Sequence, residues 1–479
     1  MSRLIKDSFF TTFTFFAERS FGFVRELILA SLLGPTAMGL RNIILVLNGY
    51  SLYLPLGVNI EVYRKITKNL NRNTQDVIKD QKIVMSWSFF TSLLLTVIIV
   101  LYILSADLPI EFRIALIFLI LMSIFLLFTN PLAYFLHAAG EFKKASMIES
   151  VKVFLDFILT VLLAYYFGFL GAVLGLSIAL FIRYMLYRKA FSKYNISFEW
   201  DYIFKRWDDF IKTLKAGLRL FMTSIASTIY AQVDSLITVV MLGPAALGIY
   251  GIATTLNQLI YGTYGSTVIP VGQRMYKSAD DEAKLKRYLD MLSGISSYLM
   301  VFPIIAIVLI SPYIINYFIP AFSDAIPVIG VLAVASFFNV TLNPISNYLL
   351  TKRKENLITI STLVAATLNL ILNIYLIQQG YGLMGVAYAT SISYFVNFAL
   401  LMYLSKALEL GKVLEDLLPF IYLISVLWAW TTNYTIYLLP VFTIIYVPIL
   451  LYVFYKRGIL SYLLNVISEL KVKLLLQKR

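Results

Sequence analysis

Long apolar runs separated by short charged stretches dominate this chain, and most are close to the length a helix needs to cross a bilayer, about 20 residues. They fall near 8–33, 36–62, 83–104, 114–138, 146–167, 169–187, 216–242, 245–271, 289–310, 325–350, 357–378, 382–404, 417–432 and 435–454. The pattern therefore predicts fourteen spans. Glu18, Arg19, Arg25 and Glu26 interrupt the first of them. The apolar run after Arg3 and Lys6 is too long and too charged for a cleaved signal. Between 191 and 214 the pattern changes. Ile203, Trp207, Phe210, Ile211 and Leu214 recur at helical spacing, while Lys205, Arg206, Asp208, Asp209 and Lys212 fill the opposite face. That segment predicts an amphipathic helix on the cytoplasmic interface, and the tail 456–479 repeats the pattern with a thinner polar face.

The apolar pattern also repeats. Leu33-Gly34-Pro35-Thr36-Ala37-Met38-Gly39 recurs as Leu242-Gly243-Pro244-Ala245-Ala246-Leu247-Gly248, an offset of 209 that also places Asn48 on Asn257 and Arg25 on Asp234. Phe167-Gly168-Phe169-Leu170-Gly171 resembles Tyr381-Gly382-Leu383-Met384-Gly385 at an offset of 214. Two six-helix lobes, 1–190 and 215–405, are expected to run in the same direction, since an even number of spans returns the chain to its starting side. Two further spans (406–455) and the tail follow. The Gly-Pro corners suit sharp turns, because Pro cannot continue a helix and Gly tolerates positive φ.

Composition supports the membrane reading. Hydrophobic residues make up 60% of the 479 and charged ones 14%, against about 25% charged in soluble proteins. With no cysteine, disulfides and thiolate metal sites are excluded, and no cofactor or metal is expected. The net charge of +14 would suggest nucleic acid in a soluble chain. Here the basic residues sort by loop: all fall on the predicted inner side except Arg19, Arg25, Arg41, Arg113 and Lys152. The charge therefore reports topology, with both termini cytoplasmic, and attraction to anionic lipid is secondary. No nucleic-acid partner is expected.

Twin Leu-Gly-Pro corners, two parallel six-helix lobes and a charged first helix resemble the multidrug/oligosaccharidyl-lipid/polysaccharide exporter superfamily. Within it, two extra C-terminal spans and the run Phe21-Gly22-Phe23-Val24-Arg25-Glu26 through Leu33-Gly34-Pro35 look most like the Wzx-type polysaccharide flippases. The resemblance implies an all-α, MATE-like integral membrane protein of the bacterial inner membrane. It also implies a central cavity between lobes that moves undecaprenyl-diphosphate-linked oligosaccharide to the outer leaflet by alternating access. A cation-coupled multidrug exporter is the alternative within the superfamily, and H+ or Na+ a possible coupling ion. An enzyme is not expected: the first outer connection is only Gly34-Pro35-Thr36, His137 sits at a cytoplasmic helix end, and no phosphate-cradling loop is present.

Charges at bilayer depth cost about 2.5 kcal/mol or more and usually face a cavity or a partner. Arg25 and Arg41 are candidates for the diphosphate, since a guanidinium matches phosphate oxygens with two donors. The alternatives are that Arg25 balances Glu18 or Glu26, themselves candidates for gating or ion coupling, and that Arg41 snorkels to the outer surface. If the repeats face each other, Arg25 and Asp234 can pair as a gate; otherwise Asp234 pairs locally. Asp156 is a midplane carboxylate suited to ion coupling, or else a local partner of Lys152. Asn48, Asn257, Gln258 and Tyr261 can hydrogen-bond and stack on sugars, or join helices to one another.

Overall fold

The computed structural model describes residues 2–69, 74–194, 196–278, 280–432 and 434–460. Among these there are helices and turns and no strand. The helices are α1 (Ser2–Ser51), α2 (Val58–Asn69), α3 (Thr74–Ser105), α4 (Ile110–Ala138) and α5 (Phe142–Phe191), then the short α6 (Tyr202–Lys205). After them come α7 (Trp207–Leu242), α8 (Pro244–Lys277), α9 (Glu282–Gly294), α10 (Val301–Phe318) and α11 (Ala325–Thr351). The last four are α12 (Glu355–Gln378), α13 (Gly382–Ser405), α14 (Leu410–Thr431) and α15 (Thr435–Lys456). Among the described residues, eleven helical stretches are long and apolar enough to cross a membrane, against the fourteen spans expected. Two of the eleven contain a glycine break, at Gly34 in α1 and Gly168 in α5, and α8 is not among them.

Both breaks are hairpins. Glu26 and Arg41 lie fifteen residues apart, about 22 Å along a straight helix. Yet Arg41 Nη1 is 2.7 Å from Glu26 Oε2. The chain must therefore fold back at Gly34, whose φ of 71° and ψ of 174° leave the helical region. Around Gly168 (φ 60°) the same argument holds, because Arg183 reaches Glu149, thirty-four residues earlier, at 2.7 Å. The sequence repeat is matched in backbone geometry. Gly243 has φ 86° and ψ 177°, close to Gly34, and Gly382 (φ 53°) corresponds to Gly168.

The chain divides into two compact units, residues 1–252 with 318–322, and 253–317 with 323–479. This differs from the expected boundary at 190 and 215. The reason is that α7 packs along α2 in the first unit, where a Cβ on Gly57 would fall 2.2 Å from the carbonyl oxygen of Gly217. Lys79 Nζ lies 2.6 Å from Asp209, and Lys65 Nζ donates to Thr213 at 2.7 Å, holding the start of α7 to α3 and α2. The Lys79 hydrogen bond keeps the Asp209 carboxyl below the usual carboxylate range.

The connector also departs from expectation. Residues 196–199 form no regular element, and the amphipathic part from Trp207 onward is the first turns of α7 itself. Ile203 and Phe210 are buried among Val58, Val84, Leu136 and Tyr187, so protein rather than lipid covers that face. Trp200, Phe204 and Trp207 stay half exposed beside Lys205, the make-up of an interfacial belt. The expected tail helix lies mostly outside the described residues. In the second unit, α9–α11 and α13–α15 enclose a core of Tyr298, Phe337, Phe338, Tyr422 and Tyr446, with Tyr422 and Tyr446 stacked at 4.3 Å.

Single cysteines test the expected sidedness. Those at Ser105, Ser323 and Thr432, all exposed, should react with an impermeant thiol reagent added to intact cells. Those at Ser192 and Ser278 should stay unlabelled until the membrane is opened. Outside labelling at Ser278 would overturn the orientation, and the absence of native cysteine removes the background.

Candidate functional site

The hairpin at Gly34 and the first half of α5 bring the intramembrane charges of the first unit into one cluster. Glu26 is its centre. Arg41 binds it with two nitrogens, at 2.7 and 2.9 Å, and Arg25 Nη2 binds Oε1 at 2.8 Å. Arg25 Nη1 donates to Asp156 Oδ2. The other Asp156 oxygen receives Thr160 at 3.0 Å, and Lys152 Nζ lies 3.5 Å from Oδ2. Arg25, Arg41 and Lys152 are thus joined to Glu26 and Asp156, and Glu18 adds a third carboxylate beside them. Asp156 and Arg41 are almost fully enclosed, whereas Arg25 and Lys152 each keep 17% of their side chains accessible. A cavity of about 70 Å³, lined by Glu18, Phe21, Arg25, Lys152, Asp156 and Phe157 among others, opens on them. It has room for a water or two, at about 30 Å³ each.

Several expectations change here. Arg25 takes Asp156 and Glu26 as its carboxylates. Asp234, the gate partner considered for it, accepts a hydrogen bond from Tyr250 at 2.9 Å. Arg41 does not snorkel: it is 1% exposed, because the fold-back at Gly34 places Glu26 beside it. The Lys152–Asp156 contact is present but shared with Arg25. Glu18 lies on the rim of the small cavity. Asn48 and Asn257 play parallel parts, since Ser123 donates to Asn48 Oδ1 and Ser336 to Asn257 Oδ1, each at 3.2 Å. Both residues thus join helices within their own unit. Gln258 is exposed, and the side chain of Tyr261 lies outside the described residues.

The bridging role of Glu26 and the Arg183–Glu149 pair, with Tyr187 donating to Glu149 at 2.8 Å, were not anticipated. A signal existed. Glu26 is eight residues before Gly34 and Arg41 seven after it. Residues nearly equidistant from a turning glycine face each other across the hairpin.

Paired glycine-broken helices and, among the described residues, eleven stretches long and apolar enough to cross a bilayer define a multi-span membrane protein. Residues 4–275, more than half of the chain, match the family described as "Polysaccharide biosynthesis protein", and the chain belongs to that family. An uncharacterized membrane protein of Methanocaldococcus jannaschii is 25% identical over 259 residues, 51% of this chain; the match spans 59% of that relative's length. Among solved structures, the lipid II flippase MurJ in an inward closed conformation superposes with a TM-score of 0.72 at 18% identity, covering 95% of this chain and 100% of that one. An inward-facing multidrug resistance MATE family transporter of the MOP superfamily gives 0.62 at 14% identity, covering 81% and 95%. The chain shares its fold with both of these solved structures.

Proposed function

We propose that this protein is a flippase that carries undecaprenyl-diphosphate-linked oligosaccharide from the cytoplasmic to the outer leaflet of a bacterial inner membrane. In this reading it crosses fourteen times with both termini inside, the hairpins at Gly34 and Gly168 each supplying two crossings. The observation that carries the reading is the pair of partly accessible cations, Arg25 and Lys152, gathered into one cluster within the apolar spans. A guanidinium shared between two carboxylates can exchange one of them for phosphate oxygens with little change in its own geometry. The diphosphate would displace Asp156 from Arg25, and a proton or Na+ taken up by the freed carboxylate would couple ion movement to the cycle. Alternating access then moves the headgroup past the cluster, and membrane lipid surrounds the polyprenyl chain.

The test is lipid extraction from cells lacking the gene, complemented with the wild type or with Arg25→Ala combined with Asp156→Asn. Glu26 keeps Arg41, and only Lys152, itself partly accessible, loses a carboxylate, so this variant should reach the membrane in normal amount. Lipid-linked oligosaccharide is expected to accumulate several-fold in the deletion and in the double variant, and not with the wild type. Unchanged lipid levels in the deletion, with lost efflux of cationic dyes, would favour the multidrug-exporter alternative. Full complementation by the double variant would remove Arg25 from the substrate path.

A further inference from the structure

The first unit contains a second polar cavity, of about 350 Å³, that the ion cluster does not use. Its walls include Tyr53, Asn59, Asn130, Tyr134, Arg183 and Phe221. Asn130 and Tyr134 sit about 12 and 6 Å from the basic end of α4, taking 1.5 Å per residue. The ion cluster, by contrast, lies about 10–14 Å from the turn at Gly34 on the same rise per residue. The two sites are therefore at different depths.

This cavity sits where helical structure stops. Between α1 and α2, residues 52–57 form successive turns, with positive φ at Leu56 (52°) and Gly57 (79°), and Trp87 Nε1 donates to the Pro55 carbonyl at 3.0 Å. Irregular backbone at membrane depth persists only where protein covers it or a cavity adjoins it. Asn59, just after the break, is 8% exposed, and its Oδ1 has no hydrogen-bond partner. A buried amide oxygen left unsatisfied in this way calls for a donor, from a water or from a ligand.

The chemistry of the walls selects the ligand. Arg183 is balanced by Glu149 through three hydrogen bonds of 2.7–3.1 Å, so the cavity offers no free positive charge to an anion. What remains is two carboxamides, two phenols and aromatic faces. A sugar hydroxyl both donates and accepts, so it can serve an amide in either orientation. We propose that this pocket is a sugar subsite, seating the membrane-proximal sugar of the transported lipid through Asn59 and Asn130, with Tyr134 against the ring. The proposal rests on the flippase reading.

Native mass spectrometry of the purified full chain distinguishes the two. The probes are undecaprenyl-diphosphate-linked oligosaccharide extracted from the host strain and undecaprenyl diphosphate without glycan. Wild type should bind the glycolipid at least tenfold more tightly than the bare lipid. Asn59→Leu should bring the glycolipid down to the bare-lipid affinity while its melting temperature is unchanged or raised, since an apolar group of similar size replaces an unpartnered amide. Asn130→Leu serves as the second variant and should act in the same direction. If wild type binds both lipids equally, or if both variants keep the glycan preference, the sugar subsite is overturned and the flippase reading stands. If wild type binds neither lipid, the flippase reading falls and the subsite with it.

Discussion

Glu26→Gln is expected to remove most of the folded protein from the membrane. Two nitrogens of Arg41 and two of Arg25 converge on that one carboxylate, and Arg41 is 1% exposed. Breaking a buried ion pair from one side costs about 3–5 kcal/mol, because the remaining charge stays without a counterpart. Whole-protein stabilities are about 5–15 kcal/mol, so a loss of this size is a large fraction of the total. Yield and melting temperature in detergent measure it. Combining Glu26→Gln with Arg41→Met should recover most of the loss, since a long apolar side chain then fills the space with no charge to compensate. Normal yield and melting temperature for the single variant would mean that another group serves Arg41.

Adding one methyl group at either Leu-Gly-Pro corner is expected to stop transport. A Cβ on Gly39 would lie 1.7 Å from the Pro244 carbonyl oxygen, and one on Gly248 would lie 2.0 Å from that of Pro35. Neither oxygen can turn aside, because both belong to the backbone next to a corner glycine. Gly39→Ala and Gly248→Ala must therefore push the two corners apart, at a cost of about 1–3 kcal/mol for overpacking. Transport should fall at least tenfold. Asn42, whose Nδ2 would be 2.3 Å from a Cβ on Gly251, offers a local reporter. A cysteine there should react with an external thiol reagent in the Gly39→Ala background and resist it in the parent. Full transport by both alanine variants would show that corner closure is dispensable.

The corners themselves were legible in the sequence, because Gly-Pro chemistry and a repeated heptapeptide both point to one backbone geometry. That Gly39 and Gly248 would meet the opposite corner was not. A repeat identifies equivalent residues, whereas contact depends on how helices distant in the chain are set against each other. The same difference explains Arg25. The repeat aligns it with Asp234, an equivalence, while its partner Asp156 comes from the register between α1 and α5, 131 residues apart in sequence. Of the two alternatives for Arg41, snorkelling fails because depth along one helix takes no account of the other helix of the hairpin beside it. In the connector, protein covers Ile203 and Phe210 where spacing alone suggests an interface, since periodicity tells which residues need burial and not what buries them. Asn59 carried no signal at all: one asparagine near a Gly is common, and only the enclosed, unpartnered amide makes it a candidate.

The contact between Gly57 and Gly217 joins two segments of the first unit without any side chain between them. Interlocked side chains must change rotamers, in order, before helices can slide past one another. Two bare stretches of main chain have no such sequence of steps. Their resistance to shear is that of a smooth bearing, set by the dispersion between flat peptide edges and by how readily water or lipid enters the gap. The same smoothness makes the joint sensitive to sequence in one direction only: nearly any substitution adds a tooth, and none can remove one.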